Sequence, residues 1–195
     1  MSLPLCYYRR RIVNALGPTT LRAYPAGMGR VVAMFLFRLD LSQLRHIRKE
    51  KFCAWLDRHT LLLRGRIARA LKNTPSAKSY TRKEYWGVAR KALNIFLISA
   101  CHQRVLCSSF RLRNIEKYME VPLDSQTAKA LRREAKKLDC SLPRWRGIKR
   151  LTPQIYKKYQ EFAQAYAVGK KCTRAELDFI FYQYGAYDEE YDCTD

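Results

Sequence analysis

The sequence predicts an all-α protein: a compact multi-helix domain preceded by a basic, irregular N-terminal extension. Three observations carry that expectation. From Leu41 onward, apolar residues recur at three- and four-residue spacing, the period that lines one face of an α-helix. Ahead of these stripes stand Thr81, Asp124, Thr152 and Thr173, residue types whose side-chain oxygens accept the orphan backbone N–H groups of a first helical turn. No stretch alternates apolar and polar residues with the two-residue period of a half-buried strand.

The elements follow in chain order. The first 39 residues hold Arg9, Arg10, Arg11, Arg22, Arg30 and Arg38 and no acid, with Pro and Gly punctuating residues 17–29. Residues 1–40 therefore read as a basic extension. It can be an arm that folds on nucleic acid, an organellar transit segment, or sequence upstream of the true start. Leu44, Ile47, Trp55 and Leu56 form an imperfect stripe to about His59, and residues 61–71 a second short helix before the Asn73-Thr74-Pro75-Ser76 break. Thr81 and Glu84, three apart, have the spacing of a capping box. Ala89, Ala92, Leu93, Phe96, Leu97 and Ala100 then mark a long central helix reaching about Cys107.

Asp124 caps a helix that turns Ala128, Leu131, Ala135 and Leu138 inward. A basic connection, LPRWRGIKRL at residues 142–151, leads to Thr152-Pro153, a good helix start. That helix runs to about Val168 with Ile155, Tyr159, Phe162, Ala163 and Tyr166 inward, and Gly169 stops it. Thr173 and Glu176 cap a last helix to Gly185, and residues 186–195 form an acidic tail. No repeat of solenoid length is present, so residues 41–185 are expected to form one helical domain.

Charge gives the first functional constraint. The chain holds 38 Lys plus Arg against 17 Asp plus Glu, a net charge of +21. Residues 1–150 carry 33 basic and 9 acidic side chains, whereas residues 151–195 carry 5 and 8. Such a field gathers polyanions and predicts salt-sensitive binding; nucleic acid, DNA favoured over RNA, is the expected partner. An apolar fraction of 48% excludes wholesale disorder. The apolar run at residues 31–37 is far shorter than the roughly 20 residues of a membrane span. Seven Cys without a C-x-x-C spacing predict free thiols and a cytoplasmic or nucleoid-associated setting. His46, His59 and His102 are scattered, and Cys101, His102 and Cys107 fit no common zinc spacing. No metal or cofactor is expected, and no Gly-rich phosphate loop, G-x-S-x-G or H-E-x-x-H occurs.

Within the basic connection, Arg144, Arg146, Lys149 and Arg150 surround Trp145 and Gly147, a mixture suited to phosphate contact and base stacking. The alternative is that Trp145 turns inward as a loop anchor beneath solvated cations. Arg132, Arg133, Lys136 and Lys137 extend this surface, and Arg64, Arg66, Arg69 and Lys72 can complete a groove.

Two further segments suggest chemistry: GVARKALNIFL at residues 87–97 and VPLDSQTAKAL at residues 121–131. Here the chain resembles the helix-hairpin-helix DNA glycosylase superfamily. Its lyase members carry a G-V-G-R-K-T-A-like segment with a catalytic Lys and a P-V-D-T/S-like segment with a catalytic Asp. The resemblance implies that Lys91 is the nucleophile, attacking C1′ of a damaged nucleotide to form a Schiff base that permits strand cleavage. It implies that Asp124 stabilises the cationic sugar or assists proton transfer. Arg90 would be a neighbouring cation in contact with nucleic acid, and Tyr85, Trp86 or Trp145 would stack a flipped base. Departures are visible: Ala89 stands at the hairpin's second Gly, and Tyr85-Trp86 where Leu-Pro is usual. A capping box at Thr81 would also put Gly87 and Val88 inside a helix.

The VPLDS and LPRW segments also resemble a pair found in uncharacterised bacterial proteins, a likeness that implies no activity. The rival expectations are a non-enzymatic nucleic-acid-binding module of a mobile-element or genome-maintenance system, and a helical protein whose basic face meets an acidic partner. In either case Lys91 is a solvated helix residue and Asp124 only a helix cap.

Overall fold

The structure is a computed structural model that describes residues 4–20, 27–74, 81 and 84–182, with side chains at all of these except 17–20. Among the described residues every regular element is helical. The acidic tail, residues 186–195, lies outside them.

The N-terminal region departs from the irregular extension expected of it. Helix α1 (Leu5–Thr20) and helix α2 (Met28–Phe37) are regular. Ile12, Val13 and Leu16 of α1 and Met28, Val32, Phe35 and Leu36 of α2 enter the main apolar cluster. The core thus begins well before residue 41. Amphipathic burial, rather than composition, makes these segments helical. Gly27 supplies the left-handed turn before α2, with φ +87°.

After a 3-10 turn at Leu41–Leu44, α3 (Lys49–Leu71) is one continuous helix rather than two short ones. Phe52, Trp55, Leu56, Leu63, Ile67 and Leu71 form its buried stripe. Thr60 continues that stripe as a polar residue because its hydroxyl donates to the Leu56 carbonyl at 2.7 Å. Helix α4 (Tyr85–His102) ends before the expected Cys107. Gln103 is extended there, and its side chain accepts the Leu106 N–H at 2.7 Å to start α5 (Arg104–Phe110). A short α6 (Arg113–Glu116) follows.

The C-terminal helices match their start signals. Asp124 caps α7 (Ser125–Lys137), accepting the Thr127 N–H at 3.0 Å. Leu138 lies past the helix end and is exposed, not inward as expected. Thr152 caps α8 (Pro153–Gly169). The buried face of α8 is Tyr156, Tyr159, Gln160, Ala163 and Ala167, which leaves Ile155, Phe162 and Tyr166 half-buried. Two residues with polar tips go inside because those tips find partners: Tyr156 with Asn94 and Glu120, and Gln160 with both backbone groups of Val121. Thr173 and Glu176 form a reciprocal cap, and residues 176–182 are helical, here α9.

Two apolar clusters result. One gathers α1 to α6; the other gathers α7, α8, α9, Leu151 and Trp86 of α4. Helix α4 serves both. No helix among the described residues is long and apolar enough to cross a membrane.

Candidate functional site

At 3.6 residues per turn, α4 presents distinct faces. Val88, Ala89, Ala92, Leu93, Phe96, Leu97 and Ala100 pack into the first cluster. Trp86, Arg90 and Asn94, each four apart, are buried among polar partners and the second cluster. Lys91, Ile95, Ile98 and His102 form one wall of a cavity of about 670 Å³, lined on other sides by the start of α7 and by α9.

In that cavity the two residues of the motif likeness meet. Lys91 Nζ lies 3.2 Å from Asp124 Oδ2, while Asp124 Oδ1 caps α7. Lys91 is therefore not a solvated helix residue. A second carboxylate joins them: Asp178 Oδ1 accepts the Thr127 hydroxyl at 3.2 Å. Burial raises the Asp178 carboxyl to about 6; the negative charge of Asp124 adds to the rise, and Thr127 and Lys91 only partly oppose it. The Lys91 amine and the carboxylates of Asp124 and Asp178 form one polar group in the lining, which also holds His102 and Glu176, the latter engaged by Thr173. Phe179 and Tyr182, 65% and 69% exposed, stand among the lining side chains as aromatic surfaces open to solvent. No motif or cap marks Asp178 in the sequence; its one local signal is an acid set in the run Leu177-Asp178-Phe179-Ile180-Phe181. No group of three or more His, Cys, Asp or Glu among the described residues is placed to hold a metal ion.

Arg90, expected at the nucleic acid, is removed from it. It is only 4% exposed and holds Glu120 through two bonds, Nε to Oε2 at 2.8 Å and Nη2 to Oε1 at 2.9 Å. Its Nη1 donates to Asp57 at 2.7 Å and to Thr60 at 3.2 Å. Trp86 and Tyr156 place their rings 5.8 and 5.3 Å from its guanidinium. Burial opposes the charge, but Glu120, Tyr156 and Asp57 outweigh it and hold the group above its ordinary value. Tyr156 donates to Glu120 at 2.6 Å and Asn94 donates to Tyr156 at 2.7 Å. Burial and the Glu120 charge push the Tyr156 phenol well up, which keeps it a donor. The network ties α3, α4 and α8 to the segment before Val121. Nothing local in the sequence announced Glu120 or Tyr156, because their pairing spans 36 residues.

The basic connection lies across the start of α4. A Cβ at Gly87 would meet the Ile148 carbonyl oxygen at 2.5 Å and Leu151 Cβ at 3.1 Å. Gly87 is thus a close-approach glycine inside a continuous helix, and no hairpin forms there. Trp145 takes the anchoring role: half-buried, it packs edge-on against Tyr159 with centroids 6.1 Å apart, and its Nε1 points to Ser125 Oγ at 3.4 Å. Tyr159 in turn donates to the Pro143 carbonyl at 2.7 Å. Tyr85 and Trp86 are buried, so the stacking role expected of them does not hold. Arg144, Arg146, Lys149 and Arg150 are exposed, as are Arg132 and Arg133 on α7. Because Ser125 adjoins Asp124 and Gly87 precedes Lys91 by one turn, this cationic connection borders both residues of the pair.

No family model, curated protein or solved structure matches the chain. Fold and site define an all-helical, strongly basic protein with an amine–carboxylate cavity beside a cationic loop.

Proposed function

We propose that this protein binds nucleic acid, DNA in preference to RNA, and that its Lys91–Asp124 cavity acts on the sugar as a base-excision glycosylase with lyase activity. The observation that carries this reading is the 3.2 Å approach of Lys91 and Asp124 from different helices, in a cavity whose size suits a small ligand or single nucleoside. The Lys91 nitrogen forms a bond to C1′ as the bond from C1′ to the base breaks, its electron pair leaving with the base. Asp124, the contact acceptor, takes the Lys91 proton and then faces the cationic sugar. Asp178, part-protonated near pH 6, supplies a proton to the departing base. Phe179 and Tyr182 replace Tyr85 and Trp86 as stacking surfaces. With no hairpin at Gly87, the cations of residues 144–150 take over the phosphate contacts.

Borohydride trapping on DNA carrying abasic or damaged-base sites tests the chemistry. The expected result is a covalent adduct with the wild type and none with Lys91→Ala, whose fold is checked by circular dichroism. No adduct across a lesion panel, with DNA binding intact, refutes the enzymatic half.

One observation favours a second reading, the non-enzymatic binding module. Asp124 serves at once as the α7 cap and as the counterion of Lys91, which gives both residues structural work. Salt-sensitive binding would then survive Lys91→Ala and Asp124→Asn and fail on joint removal of Arg144, Arg146, Lys149 and Arg150.

A further inference from the structure

A separate recess of about 580 Å³ opens at the beginning of α3, with Gln43, Arg45, His46, Lys51, Trp55 and Arg58 among its walls. Among the described residues no carboxylate lines it. Lys51, Trp55 and Arg58 come from one face of the first turns of α3, and Arg45 and His46 from the turn after Leu41–Leu44. The floor is fixed: Trp55 is buried, stacks on Phe52 and donates from Nε1 to Gln43 Oε1 at 3.1 Å. Arg45 is held by its Nη2 bond to the Ser109 carbonyl at 2.9 Å and lies 5.9 Å from the Phe110 ring.

Two acids close to the recess in sequence are engaged elsewhere: Asp57 pairs with Arg90, and Asp40 is held within its own turn. Asp40 accepts from the Ser42 hydroxyl at 2.6 Å, the Ser42 N–H at 3.0 Å and the Gln43 amide at 3.1 Å. The bonds from Ser42 hold its carboxyl below the ordinary value. Among the described residues no carboxylate pairs with Lys51 or Arg58. Cations gathered around one recess without acids repel each other, and an anion with several oxygens relieves that cost while accepting their hydrogen bonds.

We propose that this recess binds backbone phosphates of a nucleic-acid strand, as a contact surface additional to residues 144–150. The proposal rests on the nucleic-acid reading above and not on the Lys91 chemistry. Strand phosphate fits better than a lone phosphate ion because the recess is open to solvent rather than enclosed, and because the whole chain carries +21.

The test is the salt dependence of duplex DNA binding by the full chain, measured by fluorescence anisotropy for the wild type, Lys51→Gln/Arg58→Gln and a control pair, Lys157→Gln/Lys158→Gln on α8. Each lost phosphate contact lowers the slope of log K against log salt by about 0.9, so the recess variant is expected to lose about 1.8 and the control pair much less. Lys51 and Arg58 are exposed; should the double variant unfold, Lys51→Gln alone is expected to lose about 0.9. A slope change no larger than the control's, in a protein that binds DNA, overturns the recess and leaves the nucleic-acid reading standing. Failure of the wild type to bind any nucleic acid overturns both. Inorganic phosphate that binds the wild type but not the recess variant, with DNA slopes unchanged, assigns the recess to free phosphate and also overturns the proposal.

Discussion

Replacing Gly87 with Ala separates packing from helix propensity. In an unobstructed helix interior, Gly→Ala stabilises by about 1 kcal/mol. Here the added Cβ would lie 2.5 Å from the Ile148 carbonyl oxygen, 3.1 Å from Ile148 Cγ1 and 3.1 Å from Leu151 Cβ. An ordinary carbon–oxygen approach is about 3.3–3.6 Å, so the overlap with the carbonyl is close to 1 Å. The obstructing atom belongs to the backbone of the Ile148–Arg150 turn and cannot rotate away as a side chain would. Overpacking of this kind costs about 1–3 kcal/mol, and the upper part of that range applies because three contacts tighten together. After the propensity gain, Gly87→Ala is expected to lose about 1–2 kcal/mol, which in a chain of this size lowers Tm by about 2–8 °C. Urea titration followed by far-UV circular dichroism measures it. A Gly87→Ala protein more stable than the wild type would refute the close approach, and with it the placement of the cationic connection beside Lys91.

Substitutions at three other positions probe the site. Arg90→Ala strands Glu120 and is expected to cost about 3–5 kcal/mol, with Arg90→Ala/Glu120→Gln costing less than the sum of the two singles; additive losses in urea titrations would contradict the pairing. The Asp178 carboxyl is raised to about 6 from its ordinary 3.8, so the fold favours its neutral form and loses stability as pH rises from about 4 to above 6. At 1.36 kcal/mol per unit this amounts to about 3 kcal/mol. Asp178→Asn should match the wild type near pH 4 and exceed it at pH 8, and parallel stability profiles would dismiss a raised carboxyl. Asp124→Ala removes the α7 cap and should cost about 0.5–2 kcal/mol. Asp124→Asn keeps the cap and removes the charge, so near-native stability without a borohydride adduct is the expected pairing; an undiminished adduct would exclude Asp124 from the chemistry.

Legibility followed the range of the interaction. The caps at Asp124, Thr152 and Thr173 could be read because donor and acceptor lie within three residues. The sequence pattern breaks Lys49–Leu71 in two because Leu61 and Leu62 look like core residues, yet both face solvent on one continuous helix. Helices α1 and α2 are hidden for the opposite reason: the Arg residues of the first 39 positions and the Pro and Gly at residues 17–29 read as a basic, punctuated arm, while the stability of these helices comes from what they are packed against. In the site, Asp124 and Lys91 were singled out by motif likeness, whereas Asp178 and Glu120 depend on partners 51 and 30 residues away.

Arg90 and Lys91 show where the division falls. The sequence by itself determined that two cations stand side by side on a helix, in a chain whose helical class and net positive charge follow from composition and period. Only the tertiary structure decided that they do different work. One residue is a rotation of about 100° around the helix, and that step carries Arg90 into a buried network with Glu120 and Lys91 onto the wall of a cavity facing Asp124. Local periodicity specifies the angle between two neighbouring side chains; what each side chain then meets is set by segments distant in sequence that fold against the helix.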